Sequence, residues 1–358
     1  MHQRSEFAMN VGVIGLGYWG PNLIRNLLES QRANVHCFDT NPLAMVRLKS
    51  RFPSVTFCAS SKTLLQQCDA VMIATPVLTH YSLVKEALEA GKGVFVEKPL
   101  SSSSAEALEL IQLAEQRRCV LMVGHTFLYS PAVNRAREYI RSGVIGDLYF
   151  LSSSRVNLGI HRSDVDVIMD LAPHDLSTFI YLLGEYPTRV SAFGRACFGK
   201  MLDVASLRLE FPSGIFANLE VSWLAPRKLR RMVVVGSKSM LVYDDTAVDK
   251  IQLYDRGVAM GAPNSFGEYQ LTYRTGEITS PNLDVTEPLL IQTNHFLNCV
   301  EQGQRPLSDG EMGLAIVRVL EAAEVSAHGN GEFVPISCGE ASMPRITESN
   351  VCEEAAQE

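Results

Sequence analysis

Residues 11–20 read Val-Gly-Val-Ile-Gly-Leu-Gly-Tyr-Trp-Gly, an apolar run that leads directly into three glycines with the spacing G-x-G-x-x-G. This spacing is informative where a strand precedes it and a helix follows it, and the flanking patterns predict both here. Gly15 permits the tight turn, Gly17 lets the backbone approach a pyrophosphate, and Gly20 allows the helix to pack closely. Backbone N–H groups and the helix dipole then face the phosphates. The stretch therefore predicts the phosphate-binding turn of a dinucleotide-binding fold.

Asp39 stands 19 residues beyond Gly20, at the end of the second predicted strand. A carboxylate at this position accepts hydrogen bonds from the hydroxyls of the adenine ribose. Because it would also repel a 2′-phosphate, we expect NAD as the cofactor, with NADP less favoured. Tyr18 and Trp19, which separate the second and third glycines, are included in the predicted cofactor site.

Short apolar runs alternate with amphipathic stretches from Asn10 to Gly124. The runs AVMIAT, GVFVEK and CVLMVG are separated by the helical patterns HYSLVKEALEAG and SAEALELIQLAEQRR. Nearly continuous apolar strands are typical of a parallel sheet that is covered by helices on both faces. We therefore predict an α/β Rossmann domain, with a doubly wound parallel sheet, over residues 1–124.

The pattern changes after Gly124. Helices are predicted over residues 131–142 and 167–183, with a strand over 148–156, and then the strands RVSAFGRA, VASLRLEF, IFANLEVSWL, RRMVVVG and SMLVYD follow one another. Successive strands without helices between them predict a mostly antiparallel sheet. With two late helices, residues 125–336 form a predicted α+β domain for substrate binding and oligomerisation, and 337–358 form a flexible tail.

Composition excludes several classes of function. The 32 Lys and Arg residues against 39 Asp and Glu residues give a net charge of −7, which argues against a nucleic-acid partner. The eight cysteines form no CxxC pair and no zinc-finger spacing, so we expect no metal site and reduced thiols. No apolar run approaches the roughly 18 residues of a membrane span. We expect a cytoplasmic protein without a membrane partner.

Residues 74–100 read ATPVLTHYSLVKEALEAGKGVFVEKPL. The combination of Glu97-Lys98-Pro99 after a strand with an earlier Ala-Thr-Pro and His80 resembles the glucose-fructose oxidoreductase/inositol dehydrogenase (Gfo/Idh/MocA) family. The resemblance covers roughly residues 10–336. It implies a Rossmann domain, then a domain with an open-faced, mostly antiparallel sheet, and an active site between them.

The resemblance also implies roles for residues in this stretch. Thr75, Pro76 and His80 would line the region of the nicotinamide ribose, Glu97 would belong to the cofactor site, and Lys98 would lie beside the reacting carbon. The electrostatic task expected of the Lys98 ammonium is to polarise a carbonyl oxygen or hold an alkoxide.

Members of the family often carry an Asp-x-x-x-His pair, which Asp170 and His174 match. His174 is suited to act as a general base because an ordinary imidazole titrates near neutrality, and Asp170 would share its helix face and orient it. The family's Gly-rich stretch before the Asp is replaced here by residues 165–169, VDVIM. Tyr129, Arg155 and Asn157, together with His174, are the predicted contacts to the sugar.

The segments GYWGPN, GHTFLYSP and MDLAPHD resemble those of members that act on nucleotide sugars, the UDP-N-acetylglucosamine 3-dehydrogenase-like group. We expect an NAD-dependent hydride transfer to or from a secondary alcohol or ketone of such a sugar. The alternatives are a cyclitol or free-sugar dehydrogenase, a ketosugar reductase, an enzyme that recycles a retained NAD, and a non-catalytic NAD-binding regulator. An exposed sheet face in the second domain would be covered in a homodimer or homotetramer.

Overall fold

The computed structural model describes residues 8–159, 161, 164–260 and 271–336. These residues divide into two compact units. The first unit contains residues 8–129 and 286–318, and the second contains 130–260, with its gaps, 271–285 and 319–336. The tail predicted over residues 337–358 lies outside the described residues.

The first unit contains a six-stranded parallel sheet in the order β3-β2-β1-β4-β5-β6. This order, with helices between the strands, confirms the predicted doubly wound Rossmann sheet. Its elements are β1 (Met9–Ile14), α1 (Gly20–Glu29), β2 (Ala33–Phe38), α2 (Pro42–Arg51), β3 (Thr56–Phe57), α3 (Ser61–Gln67), β4 (Ala70–Ile73), α4 (His80–Glu89), β5 (Gly93–Glu97), α5 (Ser104–Arg117) and β6 (Leu121–Gly124).

The second unit contains a nine-stranded sheet in the order β14-β13-β12-β11-β7-β10-β9-β8-β15. Only the β7–β10 pair is parallel among the described strands, so the prediction of a mostly antiparallel sheet is confirmed. Its elements are α6 (Pro131–Arg141), β7 (Leu148–Leu158), α7 (Val167–Leu183), β8 (Arg189–Arg195), β9 (Val204–Glu210), β10 (Phe216–Ser222), β11 (Leu224–Gly236), β12 (Met240–Asp244), β13 (Ile251–Met260), β14 (Leu271–Thr279) and β15 (Val334–Pro335).

Burial alternates along the strands of this second sheet. In β9, Ala205, Leu207 and Leu209 are buried, whereas Ser206 and Arg208 are exposed. Since side chains alternate between the two faces of a strand, the buried set lies on one face. Helix α7 packs on strands β7, β9 and β10 and is itself mostly buried. The unit is therefore a two-layer structure with one apolar face beneath helices.

Residues 286–318 return to the first unit, whereas the expected division placed them in the second domain. They contain α8 (Pro288–Gln302) and the first part of α9 (Gly310–His328). The Phe95 and Phe296 rings lie 5.9 Å apart, and Val300 occupies the space beside Gly93. These helices fill apolar space that the first 129 residues leave beside their sheet, which is why the segment belongs there.

No helix among the described residues is both long and apolar enough to cross a membrane.

Candidate cofactor and catalytic site

The glycine loop after β1 has the shape that its spacing predicts. Gly15 has a φ of 94°, and a Cβ there would stand 2.5 Å from the carbonyl oxygen of Ala74. A Cβ on Gly20 would stand 2.1 Å from the carbonyl oxygen of Gly15, so neither position accepts a side chain. At Gly17, by contrast, no described atom lies within 4 Å of a Cβ position. The loop is thus closed at its two ends and open in the middle, as close approach of a pyrophosphate requires.

The start of α1 is open as well. Among the described residues, no side chain caps its first turn, and Pro21 occupies a first-turn position. Tyr18 is 84% exposed and Trp19 is 39% exposed, and their rings meet edge to face at 5.7 Å. Uncapped N–H groups at a helix N-terminus attract anions. The residues present therefore suit the phosphates of a dinucleotide, and the two aromatic rings border that position.

Asp39 stands beside the glycine loop, directly after β2. Its Oδ2 accepts a hydrogen bond of 2.6 Å from the backbone N–H of Leu16, and its Oδ1 accepts one of 2.7 Å from Asn41. The carboxylate therefore holds the loop in addition to the ribose contact predicted for it. Each oxygen retains a second lone pair for a ribose hydroxyl.

Three of the other predicted cofactor residues lie at the carboxyl ends of β4 and β5. Thr75 and Pro76 follow β4, and the Thr75 hydroxyl accepts a hydrogen bond of 2.8 Å from Thr79. The buried ring of His80 lies between main-chain oxygens, with Nδ1 2.8 Å from that of Pro99 and Nε2 2.9 Å from that of Thr75. Burial lowers the pKa of His80. The structure thus places His80 as a link between the loops after β4 and β5.

Glu97 ends β5 in register with Gly124, the last residue of the neighbouring strand β6, and Lys98 and His125 are the residues that follow these two strands. Burial raises the pKa of the Glu97 carboxyl to about 7, against the opposing effect of the Lys98 charge. Burial and the same charge lower the pKa of His125 to about 3. Among the described residues, neither ring nitrogen of His125 has a hydrogen-bond partner. Three ionisable groups therefore meet at this edge, and Lys98 is the half-exposed one.

Asp170 and His174 lie on α7 in the second unit, one turn apart and each partly buried. The helix begins at Asp166, whose carboxylate accepts a hydrogen bond of 2.9 Å from Met169 N–H, as N-cap residues do. The indole Nε1 of buried Trp223 donates a hydrogen bond of 3.2 Å to Asp170 Oδ2. Sequence reasoning assigned Trp223 only to a strand, because nothing local connects it to a residue 53 positions away.

The predicted sugar contacts differ in their surroundings. Arg155 is 5% exposed and its guanidinium pairs with the carboxylate of buried Asp175. Tyr129 is fully buried in the first unit, where its hydroxyl lies 3.2 Å from Ser308 Oγ and its ring contacts His295. Asn157, near the end of β7, is half-buried. Of these three side chains, only Asn157 has appreciable exposure, so Tyr129 and Arg155 have packing and ion-pair roles in the structure.

No group of three or more His, Cys, Asp or Glu side chains suited to a metal ion occurs in the described part of the chain.

Comparison with known protein families assigns the two halves of the chain consistently. Residues 9–125 match the family described as "Oxidoreductase family, NAD-binding Rossmann fold", and residues 133–242 match the "GFO/IDH/MocA C-terminal domain". The chain belongs to the Gfo/Idh/MocA family. The resemblance seen in the Glu97-Lys98-Pro99 region is thereby confirmed, and with it an NAD(P)-dependent oxidoreductase of CH–OH groups.

Gfo/Idh/MocA relatives with curated functions act on several sugars. UDP-N-acetylglucosamine 3-dehydrogenase of Acidithiobacillus ferrooxidans is 31% identical over 88% of this chain and 95% of its own length. D-apiose dehydrogenase of Paraburkholderia graminis is 25% identical over 82% of this chain and 79% of its own. A solved structure of the Acidithiobacillus enzyme matches with a TM-score of 0.74 at 27% identity, covering 90% of this chain and 98% of that one.

Proposed function

We propose that this oxidoreductase transfers a hydride between NAD(H) and a secondary alcohol or ketone carbon of a nucleotide sugar, as a UDP-N-acetylglucosamine 3-dehydrogenase does. The supporting observation is similarity to such an enzyme over nearly the whole of both chains. The identity of the substrate is the more specific part of the proposal, because another relative, D-apiose dehydrogenase, is named for a different sugar. Free-sugar or cyclitol oxidation and ketosugar reduction are therefore the alternatives, and a regulator without activity is disfavoured.

Lys98 is the residue of the first unit to which we assign a direct role. It follows β5, at the same carboxyl edge of the sheet as the glycine loop after β1 and Thr75 after β4. Ligands of doubly wound sheets bind at this edge. The chemistry that a bound nicotinamide supplies is the acceptance or donation of a hydride. In the proposal, the Lys98 ammonium stabilises negative charge on the substrate oxygen.

His174 takes the hydroxyl proton in the oxidation direction, and returns it in reduction. An imidazole suits this task because it exchanges a proton near neutral pH. Asp170 stands one turn earlier on the same face of α7 and orients the imidazole electrostatically. The hydrogen bond from Trp223 Nε1 fixes the Asp170 carboxylate in turn.

The cofactor preference follows from Asp39. Its carboxylate faces the glycine loop at the end of β2, where an acidic group favours the ribose hydroxyls of NAD over the 2′-phosphate of NADP. We therefore propose NAD as the physiological cofactor.

The test follows nicotinamide absorbance in the near ultraviolet with NAD⁺ and with NADP⁺. Substrates are UDP- and dTDP-sugars, the corresponding free sugars, D-apiose and inositols, with the matching keto compounds and NADH for the reverse reaction. Reduction of NAD⁺ with a UDP-sugar but not with its free sugar supports the proposal. Lys98→Met and His174→Asn should then lose turnover by at least a hundredfold while retaining NADH affinity. If the protein turns over only a free sugar or an inositol, the nucleotide sugar is wrong as the proposed substrate and that compound takes its place.

A further inference from the structure

The side chain of His161 contacts three neighbours, Asp203, Phe198 and Trp223, and is still reached by solvent. His161 follows β7, and its side chain is 37% exposed, whereas that of Asp203 beside it is 3% exposed. Nε2 of the imidazole lies 3.1 Å from Asp203 Oδ1. A carboxylate only accepts hydrogen bonds, so a neutral imidazole at this distance would carry its hydrogen on Nε2 and leave Nδ1 as an acceptor. Within the described part of the chain, Nδ1 has no hydrogen-bond partner.

Asp203 is itself firmly held. Its Oδ2 accepts hydrogen bonds from the backbone N–H groups of Cys197 and Phe198, at 2.5 Å and 3.0 Å. Its own main chain donates to Arg195 and accepts from Trp223, each at 2.9 Å. A buried carboxylate with this many fixed donors does not change position easily, so it serves as a rigid support for the imidazole.

Two aromatic rings enclose the imidazole from the sides. The ring of His161 meets Trp223 at 5.6 Å and Phe198 at 5.5 Å, both edge to face. Trp223 is buried, but Phe198 is 72% exposed and presents an apolar surface beside the imidazole. An acceptor nitrogen bordered by an exposed aromatic ring suits a sugar ring, which offers hydroxyl donors and apolar C–H groups together.

The position of His161 connects it with the residues proposed for catalysis. Trp223 contacts the imidazole and donates its indole hydrogen to Asp170, so a single side chain touches both. The backbone N–H of Gly159 donates to the carbonyl oxygen of Trp223 at 3.0 Å, and a Cβ at Gly159 would lie 3.0 Å from the indole. The chain leaving β7 is therefore fixed against Trp223 just before His161.

We propose that His161 is a substrate-binding residue, that its Nδ1 accepts a hydrogen bond from a hydroxyl of the sugar ring, and that Asp203 is its positioning residue. This inference rests on the proposed function. It assigns His161 to ground-state binding and not to proton transfer, because Asp203 fixes Nε2 and leaves one nitrogen for the ligand.

The experiment measures steady-state kinetics with the sugar that the unaltered protein oxidises or reduces. His161→Phe keeps the contacts between rings but removes both nitrogens, and should raise the KM for the sugar about tenfold, the usual effect of one lost hydrogen bond. kcat should stay within about twofold, because the contact exists before and during the reaction. His161→Gln should recover part of the loss, and Asp203→Asn should raise the KM less than His161→Phe does.

Matched controls separate this role from a structural one. His328→Phe changes an exposed histidine of the same unit and should leave all constants unchanged. The KM for NAD⁺ should be the same in His161→Phe as in the unaltered protein, and circular dichroism should show that the variant is folded. With monodeoxy analogues of the sugar, the effect of His161→Phe should vanish for the analogue that lacks the contacted hydroxyl.

The possible failures are distinct. If the unaltered protein turns over no sugar or cyclitol in either direction, the proposed function is overturned, and the assignment of His161 with it. If the unaltered protein is active but His161→Phe and Asp203→Asn have unchanged KM values, only the assignment of His161 is overturned. A fall in kcat without a change in KM would also overturn it, because it would place His161 in the chemical step.

Discussion

Asp39 offers a sharp test of cofactor choice at the scale of one residue. Asp39→Asn keeps an amide oxygen that can accept the hydrogen bond from Leu16 N–H, yet removes the negative charge. Without that charge, a 2′-phosphate is no longer repelled. We expect the ratio of kcat/KM for NAD⁺ to that for NADP⁺ to fall by about tenfold or more.

Asp69→Asn is the matched control for this measurement. The carboxylate of Asp69 also accepts a backbone hydrogen bond, from Asn10, but at an exposed position before β4. This variant should leave the preference for NAD⁺ unaltered. An unchanged ratio in Asp39→Asn would show that another group selects the cofactor.

The second prediction for a single residue concerns Glu97 and the way in which the stability of the protein depends on pH. Burial raises the pKa of the Glu97 carboxyl from the ordinary 4.5 to about 7 in the folded protein. The folded state therefore holds a proton that the unfolded chain has released, and this contribution to stability is complete below pH 4.5 and lost as pH rises through about 7. The loss amounts to about 3 kcal/mol at 1.36 kcal/mol for each pKa unit. Glu97→Gln should not show this loss.

The measurement is urea unfolding of both proteins between pH 4.5 and 8. His125 and His295 also make stability depend on pH, because their pKa values are lowered to about 3 and about 4. Both histidines are present in the unaltered protein and in Glu97→Gln. The difference in free energy of unfolding between the two proteins therefore reports on the Glu97 carboxyl alone. Those histidines act in the opposite direction, since stability from a lowered histidine pKa is lost as pH falls. A difference that does not vary with pH would contradict a buried, protonated Glu97.

Some residues of the candidate site could be proposed from the sequence because their signal is local. The glycines and Asp39 are indicated by their spacing together with the strand and helix around them, whereas the Asp170–His174 pair was indicated by the resemblance to the family. The contact between Trp223 and Asp170 and the pair formed by His161 and Asp203 join residues 42 or more positions apart. Only the folded sheet brings such residues together, so no local pattern could reveal them.

At the scale of elements, we predict that the buried ion pair between β7 and α7 stabilises the fold. Arg155 of β7 pairs with Asp175 of α7, whose other oxygen accepts a hydrogen bond of 2.7 Å from Ser153. Removing one charge leaves the other buried without its partner, so Arg155→Met should lower the free energy of unfolding by about 3 kcal/mol. The double variant Arg155→Met, Asp175→Leu should regain much of that loss.

Urea unfolding of the two single variants and the double variant measures this coupling. If Arg155 binds substrate instead, Arg155→Met should raise the KM with little loss of stability. A single variant that loses less than about 1 kcal/mol would contradict a structural role for the pair.

Elements with regular apolar periodicity were predicted nearly to their ends, and α7 is the clearest example, with both its bounds correct. Elements without such a pattern were missed. Strands β13 and β14 mix charged and apolar residues, with β14 at the edge of the sheet and β13 next to it, and β3 contains only two residues. Their pairing with neighbouring strands, and not their own composition, makes them strands.

At the scale of the whole molecule, the second sheet has an apolar row on the face opposite its buried layer. Val235, Phe150 and Phe216 lie in register across β11, β7 and β10, and the two phenylalanine rings stack at 5.4 Å. All three are only half-buried. An apolar face of this kind is usually covered by another subunit.

We therefore expect light scattering to show a dimer or a tetramer of the 39.5 kDa chain. Val235→Asp should dissociate it, because a charge would be buried in the contact. Ser50→Asp, an exposed change on α2 of the first unit, is the control and should leave the assembly intact. A monomer at micromolar concentration in the unaltered protein would contradict the prediction.

The return of residues 286–318 to the first unit has a consequence for the order in which the protein matures. During synthesis, residues 8–129 of the first unit leave the ribosome before the second unit does. Helix α8 and the start of α9 emerge more than 150 residues later. Only then can Arg25 of α1 form its ion pair with Glu287, the residue before α8. Until then the nascent half carries an uncovered apolar surface, the kind of surface that chaperones bind. A chain stopped before Thr286 should keep that surface uncovered, so the first unit is finished only once α8 and the start of α9 have been made.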